Sequence, residues 1–174
     1  MCAANTEPMD TGLSEKLRAH FAQQLSGVLD DAYSLMVQTH VYHWNVRGPL
    51  FEPIHKLLQQ HYETLFETAD EIAERIRQLG FAAPQGVKTF PSGVKISATM
   101  PDEDEMLSDL LARHETTLRT LRPLSADAEE NQDFATQDLI NHMLAFHEKA
   151  AWMLRSILTS WTGRQSARVT KPAS

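Results

Sequence analysis

The chain of 174 residues carries a formal charge of −7 and is 42% hydrophobic, enough for one buried core but too acidic for a general nucleic-acid binder. Its one cysteine, Cys2, excludes an internal disulfide scaffold and points to a reducing, cytoplasmic setting. No apolar run reaches the roughly 18 residues of a membrane span, and the first residues do not read as a signal peptide.

Seven glycines and eight prolines fall mostly at the ends and in one middle segment, which leaves long stretches without breakers. Residues 1–12 are small and polar and read as a flexible arm. Ser14 then offers an N-cap, and Leu17, Phe21, Leu25, Val28, Ala32, Met36 and Thr39 recur at helical spacing up to His43. Arg47-Gly48-Pro49 closes this first helix. A second helix begins near Glu52-Pro53, carries Ile54, Leu58, Leu65, Ala69, Ile72, Ile76 and Leu79 inward, and ends at Gly80. From Ala83 to Met100 the pattern breaks at Pro84, Gly86, Pro91 and Gly93, which predicts a long crossover with room for a short helix.

The acids of Asp102 to Glu105 suit a helix start, where the macrodipole favours negative charge. Leu107, Leu110, Leu111, Leu118 and Leu121 form a third stripe, expected to stop at Pro123. A fourth helix is expected from Asn131–Asp133 to about Trp161, with Ile140, Met143, Leu144, Ala150, Leu154, Ile157 and Leu158 inward. The prediction is an all-α, antiparallel four-helix bundle over residues 13–161, two hairpins joined by one long crossover between helices 2 and 3. Residues 162–174 read as a flexible basic tail, in which Arg164, Arg168 and Lys171 either touch DNA or sit in solvent.

His43, His55, Asp70 and Glu74 form a candidate metal-ligand set, and imidazole with carboxylate suits iron, zinc or manganese. His43 closes the first helix and His55 opens the second, so the two can lie close together. Asp70 and Glu74 share a helix face, but His55 and Asp70 stand 15 residues apart, roughly 22 Å along the axis. No single ion spans that distance. A two-fold dimer with antiparallel second helices brings one chain's histidines to the other's carboxylates, which makes the candidate site intersubunit. Glu63, Glu67, Asp70 and Glu74 form an acidic ladder that is either a solvated face, with Glu71–Arg75 and Glu74–Arg77 as ordinary helix pairs, or a metal face.

His43-Trp44-Asn45-Val46-Arg47-Gly48, with His55, Asp70 and Glu74 at +12, +27 and +31 from His43, resembles the signature of the Dps (DNA-protection-during-starvation) family of ferritin-like proteins. The resemblance extends to Asp133, Thr136-Gln137-Asp138-Leu139, and His147-Glu148-Lys149 with Trp152. It implies a ferritin-like bundle assembled as a hollow homododecamer, with ferroxidase sites at its two-fold interfaces. Such an assembly protects against oxidative stress by oxidising Fe(II), preferably with hydrogen peroxide, and storing ferric mineral. The family's ligands fall on His43, His55, Asp70 and Glu74, with Trp44 beside the iron and Asp133 and Asp138 as candidates for a pore lining. The same ligands would accept a structural zinc.

The chain also departs from the family pattern. Gln59 stands where the family often has an acid serving a second metal, and Lys56 and Gln60 occupy positions that are frequently acidic. The lysine-rich N-terminal arm used by some members to bind DNA is absent, so DNA binding is expected to be weak or absent, with a nucleoid-compacting role as the alternative. His61 lies about 180° around its helix from Asp70 and reads as a surface or interface residue. His147 reads as a core histidine, and His40, three residues from His43, reads as an ordinary helix residue ahead of the alternative of an outer-shell partner or auxiliary ligand. Met36, Met143 and Met153 read as core filler.

Overall fold

The computed structural model describes residues 9–86 and 100–169, with side chains as far as residue 159. Four helices account for the described secondary structure: α1 Glu15–Asn45, α2 Phe51–Gln78, α3 Glu103–Glu130 and α4 Phe134–Val169. α1 packs along α2 and α3 along α4, and the two hairpins close against each other through α1 with α3 and α2 with α4. Most of the expected crossover, residues 87–99, lies outside the described residues, as do residues 1–8 and 170–174.

The ends of the helices follow from local chemistry. The Ser14 hydroxyl accepts from the Leu17 amide at 3.3 Å, which satisfies one of the free donors of the first turn of α1. Asp102 and Glu105 form a reciprocal capping box at the start of α3, so the acid run there is a cap as well as a dipole complement. α2 ends in a Schellman turn. Gly80 adopts φ 89°, its amide bonds to the Arg77 carbonyl at 2.9 Å, and the Phe81 amide reaches back to Ile76 at 3.3 Å. α3 ends the same way, but with Gln132 in the left-handed position at φ 60°.

Two expected boundaries move. α3 does not stop at Pro123 but continues to Glu130. Proline deletes one hydrogen bond, to the carbonyl of Arg119, on an exposed side of the helix, while Leu121, Leu124 and Ala128 continue the buried stripe past it. α4 runs to Val169, not Trp161, because Gly163 alone costs only about 1 kcal/mol and no proline follows before Pro172. Arg164 and Arg168, expected in a flexible tail, therefore belong to a helical segment.

The core forms two apolar clusters. One gathers Phe21, Leu25, Ile72, Ile76, Leu121 and Ile140 at the end where α1 begins. The other gathers Leu35, Leu58, Leu65, Leu107, Leu110 and Leu154 at the end where α1 turns into α2. Along α3 and α4 the interval between the clusters is occupied by His114 and His147, both fully buried.

Candidate metal centre

The turn from α1 to α2 is short and its shape is imposed by Gly48. That residue takes φ 108°, and a Cβ there would run into the carboxyl group of Glu103. The turn lays the last turn of α1 against the first turn of α2 and sets His43 and His55 face to face. Their rings stack at 3.7 Å between centroids with 18° between planes.

The two histidines are clipped together. His43 Nδ1 lies 2.8 Å from the backbone oxygen of His55, and His55 Nδ1 lies 2.9 Å from the backbone oxygen of His43. A carbonyl oxygen only accepts, so each Nδ1 carries the proton and donates it. In the neutral rings this leaves both lone pairs on Nε2. Histidines that bind metals have this arrangement: one ring N–H anchored, the other nitrogen free and aimed.

Around this pair lies an aromatic surround. His40 stacks on Tyr62 at 4.2 Å and stands 6.0 Å from His43, with burial and the neighbouring His43 both lowering its pKa. Trp44 leans on His40 at 4.4 Å yet is 62% exposed. Tyr42 faces the other way and donates to Asp109 at 2.9 Å; burial, then that bond, pushes its pKa up to about 12.

Asp70 and Glu74 lie far along α2, and both are exposed. Among the described residues neither meets a cation or a hydrogen-bond donor. Arg75, which would pair with Glu71 in the solvated-face reading, turns inward to Asp133 at 2.6 Å and to the Thr136 hydroxyl at 3.0 Å. Gln59 donates to Glu63 at 2.8 Å, one turn away from His55, and Lys56 pairs with Glu52 at 2.8 Å. Among the described residues no three histidine, cysteine or acidic side chains of one chain converge on a single point. The structure thus brings His43 and His55 together and keeps Asp70 and Glu74 apart from them within the chain.

Two residues differ from their expected roles. Asp133, a candidate pore acid, is 2% exposed; it caps α4 through the Thr136 amide at 3.1 Å and holds Arg75, so its carboxylate is committed inside the protein. Asp138 is exposed. His61, expected at a surface or interface, is buried. It does stand opposite Asp70 on the helix, but Asp70 faces outward, and the opposite side of α2 is the bundle core.

His114 escaped the sequence analysis altogether. It sits four residues after Leu110 and four before Leu118, within the leucine stripe of α3, and that spacing is the signal that marks it as internal. Its Nδ1 lies 2.8 Å from His147 Nδ1, and its ring meets that of His61 edge-on at 5.6 Å.

A bundle of two helical hairpins with a long crossover defines a protein of the ferritin-like class. The ferritin family, described as a ferritin-like domain, matches residues 22–162. Over 171 residues the chain is 34% identical to an uncharacterized low temperature-induced protein of Nostoc sp., covering 94% of this chain and 96% of that one. It is similar in structure to DpsC from Streptomyces coelicolor, with 29% identity, a TM-score of 0.79 and coverage of 88% and 92%. A second solved relative, the Dps protein of Vibrio cholerae O1, is described as a member of a broad superfamily of ferritin-like diiron-carboxylate proteins. It shares 25% identity at a TM-score of 0.76, with 91% and 99% coverage. The chain belongs to the ferritin-like family and, within it, to the Dps proteins.

Proposed function

We propose that this Dps protein oxidises Fe(II), its substrate, with hydrogen peroxide at sites shared by two chains, and stores the ferric product as mineral inside a hollow dodecamer. One chain supplies His43 and His55, and its partner supplies Asp70 and Glu74. The observation that carries the reading is the reciprocal histidine clip, which leaves the Nε2 lone pairs of both rings without a hydrogen-bond partner among the described residues. The unpaired acids, roughly 22 Å along α2 from His55, are the complement that a two-fold partner would bring.

The chemistry suits this donor set. Imidazole nitrogen holds Fe(II) well, and carboxylate oxygen stabilises the harder Fe(III) that forms. Two ferrous ions give one electron each to peroxide; its O–O bond breaks, and both oxygens leave as hydroxide or water. The ferric ions then hydrolyse to oxyhydroxide and release protons. Consuming Fe(II) and peroxide together removes both reactants of oxidative damage, a role suited to the cytoplasm. The description of the Vibrio cholerae relative as a diiron-carboxylate protein supports iron over a structural zinc.

The test is stopped-flow Fe(II) oxidation with peroxide. An Asp70→Asn/Glu74→Gln chain is expected to lose the fast phase by on the order of a hundredfold while keeping its helical content. A fast phase of wild-type amplitude in that variant would place the chemistry elsewhere.

A further inference from the structure

Between α2 and α4 lies a cavity of about 170 Å³. Leu57, Phe146 and Met153 make part of its wall apolar, while Gln60, His61, Thr64 and Lys149 bring polar groups to it. None of its lining residues belongs to the candidate metal centre, and none is an acid. An apolar cavity of about 150 Å³ holds benzene, so this one has room for about six non-hydrogen atoms.

The charge around it is one-sided. On either side of Lys149 in sequence, α4 places its charges in pairs: Arg122 donates to Glu148 at 2.7 Å, and Arg155 donates to Glu115 at 2.6 Å. Lys149 itself is exposed, and among the described residues no carboxylate pairs with it. Its ammonium is a positive charge without an answering anion.

His61 is the second unanswered group. It is 4% exposed, it lines the same cavity, and its Nδ1 has no hydrogen-bond partner. Burial, then the charge of Lys149, lowers its pKa to about 4. The other titratable groups that interact with it are His114 of α3, edge-on at 5.6 Å, and His147 of α4. Burial lowers these to about 2 and about 4, so both stay neutral near pH 7.

A carboxylate suits this cavity in both its parts. Its charge answers Lys149 and offsets the repulsion that keeps His61 unprotonated, and a short hydrocarbon part meets the apolar wall. We propose that the cavity binds, in each chain, one small carboxylate with a short hydrocarbon part, held by Lys149 and coupled to uptake of a solvent proton by His61. The site does not depend on the ferroxidase reading, and a metal-free assembly keeps the two apart.

Butyrate, which has about the six non-hydrogen atoms that the cavity admits, is the probe. Calorimetric titration of the metal-free wild-type assembly should give one saturable site per chain. If the anion returns His61 to the ordinary histidine pKa of about 6.5, linkage makes binding about fourfold tighter at pH 6 than at pH 7.5, a window above the carboxylate's own titration. The binding enthalpy should also differ between buffers of unlike ionisation enthalpy, because a proton is taken up. Lys149→Gln, an exposed change, should weaken binding about fivefold. His61→Leu should bind without the pH dependence. Inorganic phosphate, which has no hydrocarbon part, should bind roughly tenfold more weakly. No saturable butyrate binding, unchanged affinity in Lys149→Gln, or phosphate bound as tightly as butyrate would overturn the proposal. So would a wild-type affinity that does not move with pH, or a pH dependence that survives in His61→Leu. If His61→Leu does not fold, the buffer comparison on the wild-type protein decides the proton step.

Discussion

A histidine whose Nδ1 donates to a carbonyl has one nitrogen left to offer, and His43 and His55 each donate to the other's backbone. The same attention to individual atoms bears on Gln59, whose amide is turned to Glu63. Gln59→Glu would put two acids one turn apart, at a cost of a few tenths of a kcal/mol without metal. With iron present the new carboxylate lies one turn from His55 and supplies a hard oxygen. Calorimetric titration is expected to show more iron bound per site, and stopped-flow a faster peroxide-driven oxidation; two tight irons in both proteins would show that another group already fills the role. The buried histidines make a second expectation, for metal-free protein. Their folded pKa values lie below the unfolded value of about 6.5, so below that pH the unfolded chain binds protons that the folded chain does not. Stability from these groups is therefore full above about pH 6.5 and falls as pH drops below it. Urea titrations between about pH 7.5 and 5 measure it, and His114→Leu should weaken the pH dependence.

Elements were legible where a repeating pattern met a cap, and less so where two rules competed. Ser14, Asp102 and Gly80 marked their ends correctly, because each satisfies orphan backbone groups through a recognisable side chain or a positive φ. Pro123 misled, because a single lost hydrogen bond on a wet face is outweighed by the buried stripe that continues to Ala128. His61 misled differently: the angle to Asp70 was right, but which side faced the core depended on how α2 packs. Asp133 and Arg75 could not be paired from sequence, since 58 residues separate them. Their buried ion pair ties α2 to the α3–α4 turn, and Asp133→Ala should cost about 3–5 kcal/mol in urea unfolding by leaving Arg75 unpaired. Removing Lys56, whose pair with Glu52 is exposed, should change nothing measurable. Equal losses from the two variants would mean that the Arg75–Asp133 pair is solvated in solution.

At the scale of the whole molecule, the proposed assembly would cover the outward face of α2. Phe66 lies about 20° around the helix from His55 and about 40° from Asp70, between the histidine end and the acidic end, and is largely exposed. An apolar ring in the middle of a polar ligand face fits a two-fold contact in which that face meets its own copy. Phe66→Glu should therefore dissociate the assembly in analytical ultracentrifugation while leaving the helices folded; an intact assembly would move the contact to another surface. The −7 charge makes DNA a poor partner, and gel shifts at physiological salt should show little binding, with any remainder dependent on residues 163–174. The candidate ligands were legible from residue type and from the resemblance to the Dps signature, since spacing alone fits a solvated face as well; the rise per residue adds that the four could serve one ion only if two chains shared it. That division is tested most directly by complementation. A His43→Ala/His55→Ala chain and an Asp70→Ala/Glu74→Ala chain, each inactive alone, are mixed and reassembled. Random pairing makes half the dimers mixed, each with one intact site of two, so about a quarter of the wild-type Fe(II) oxidation should return. Verified mixed assemblies with no recovered oxidation would contradict the shared site.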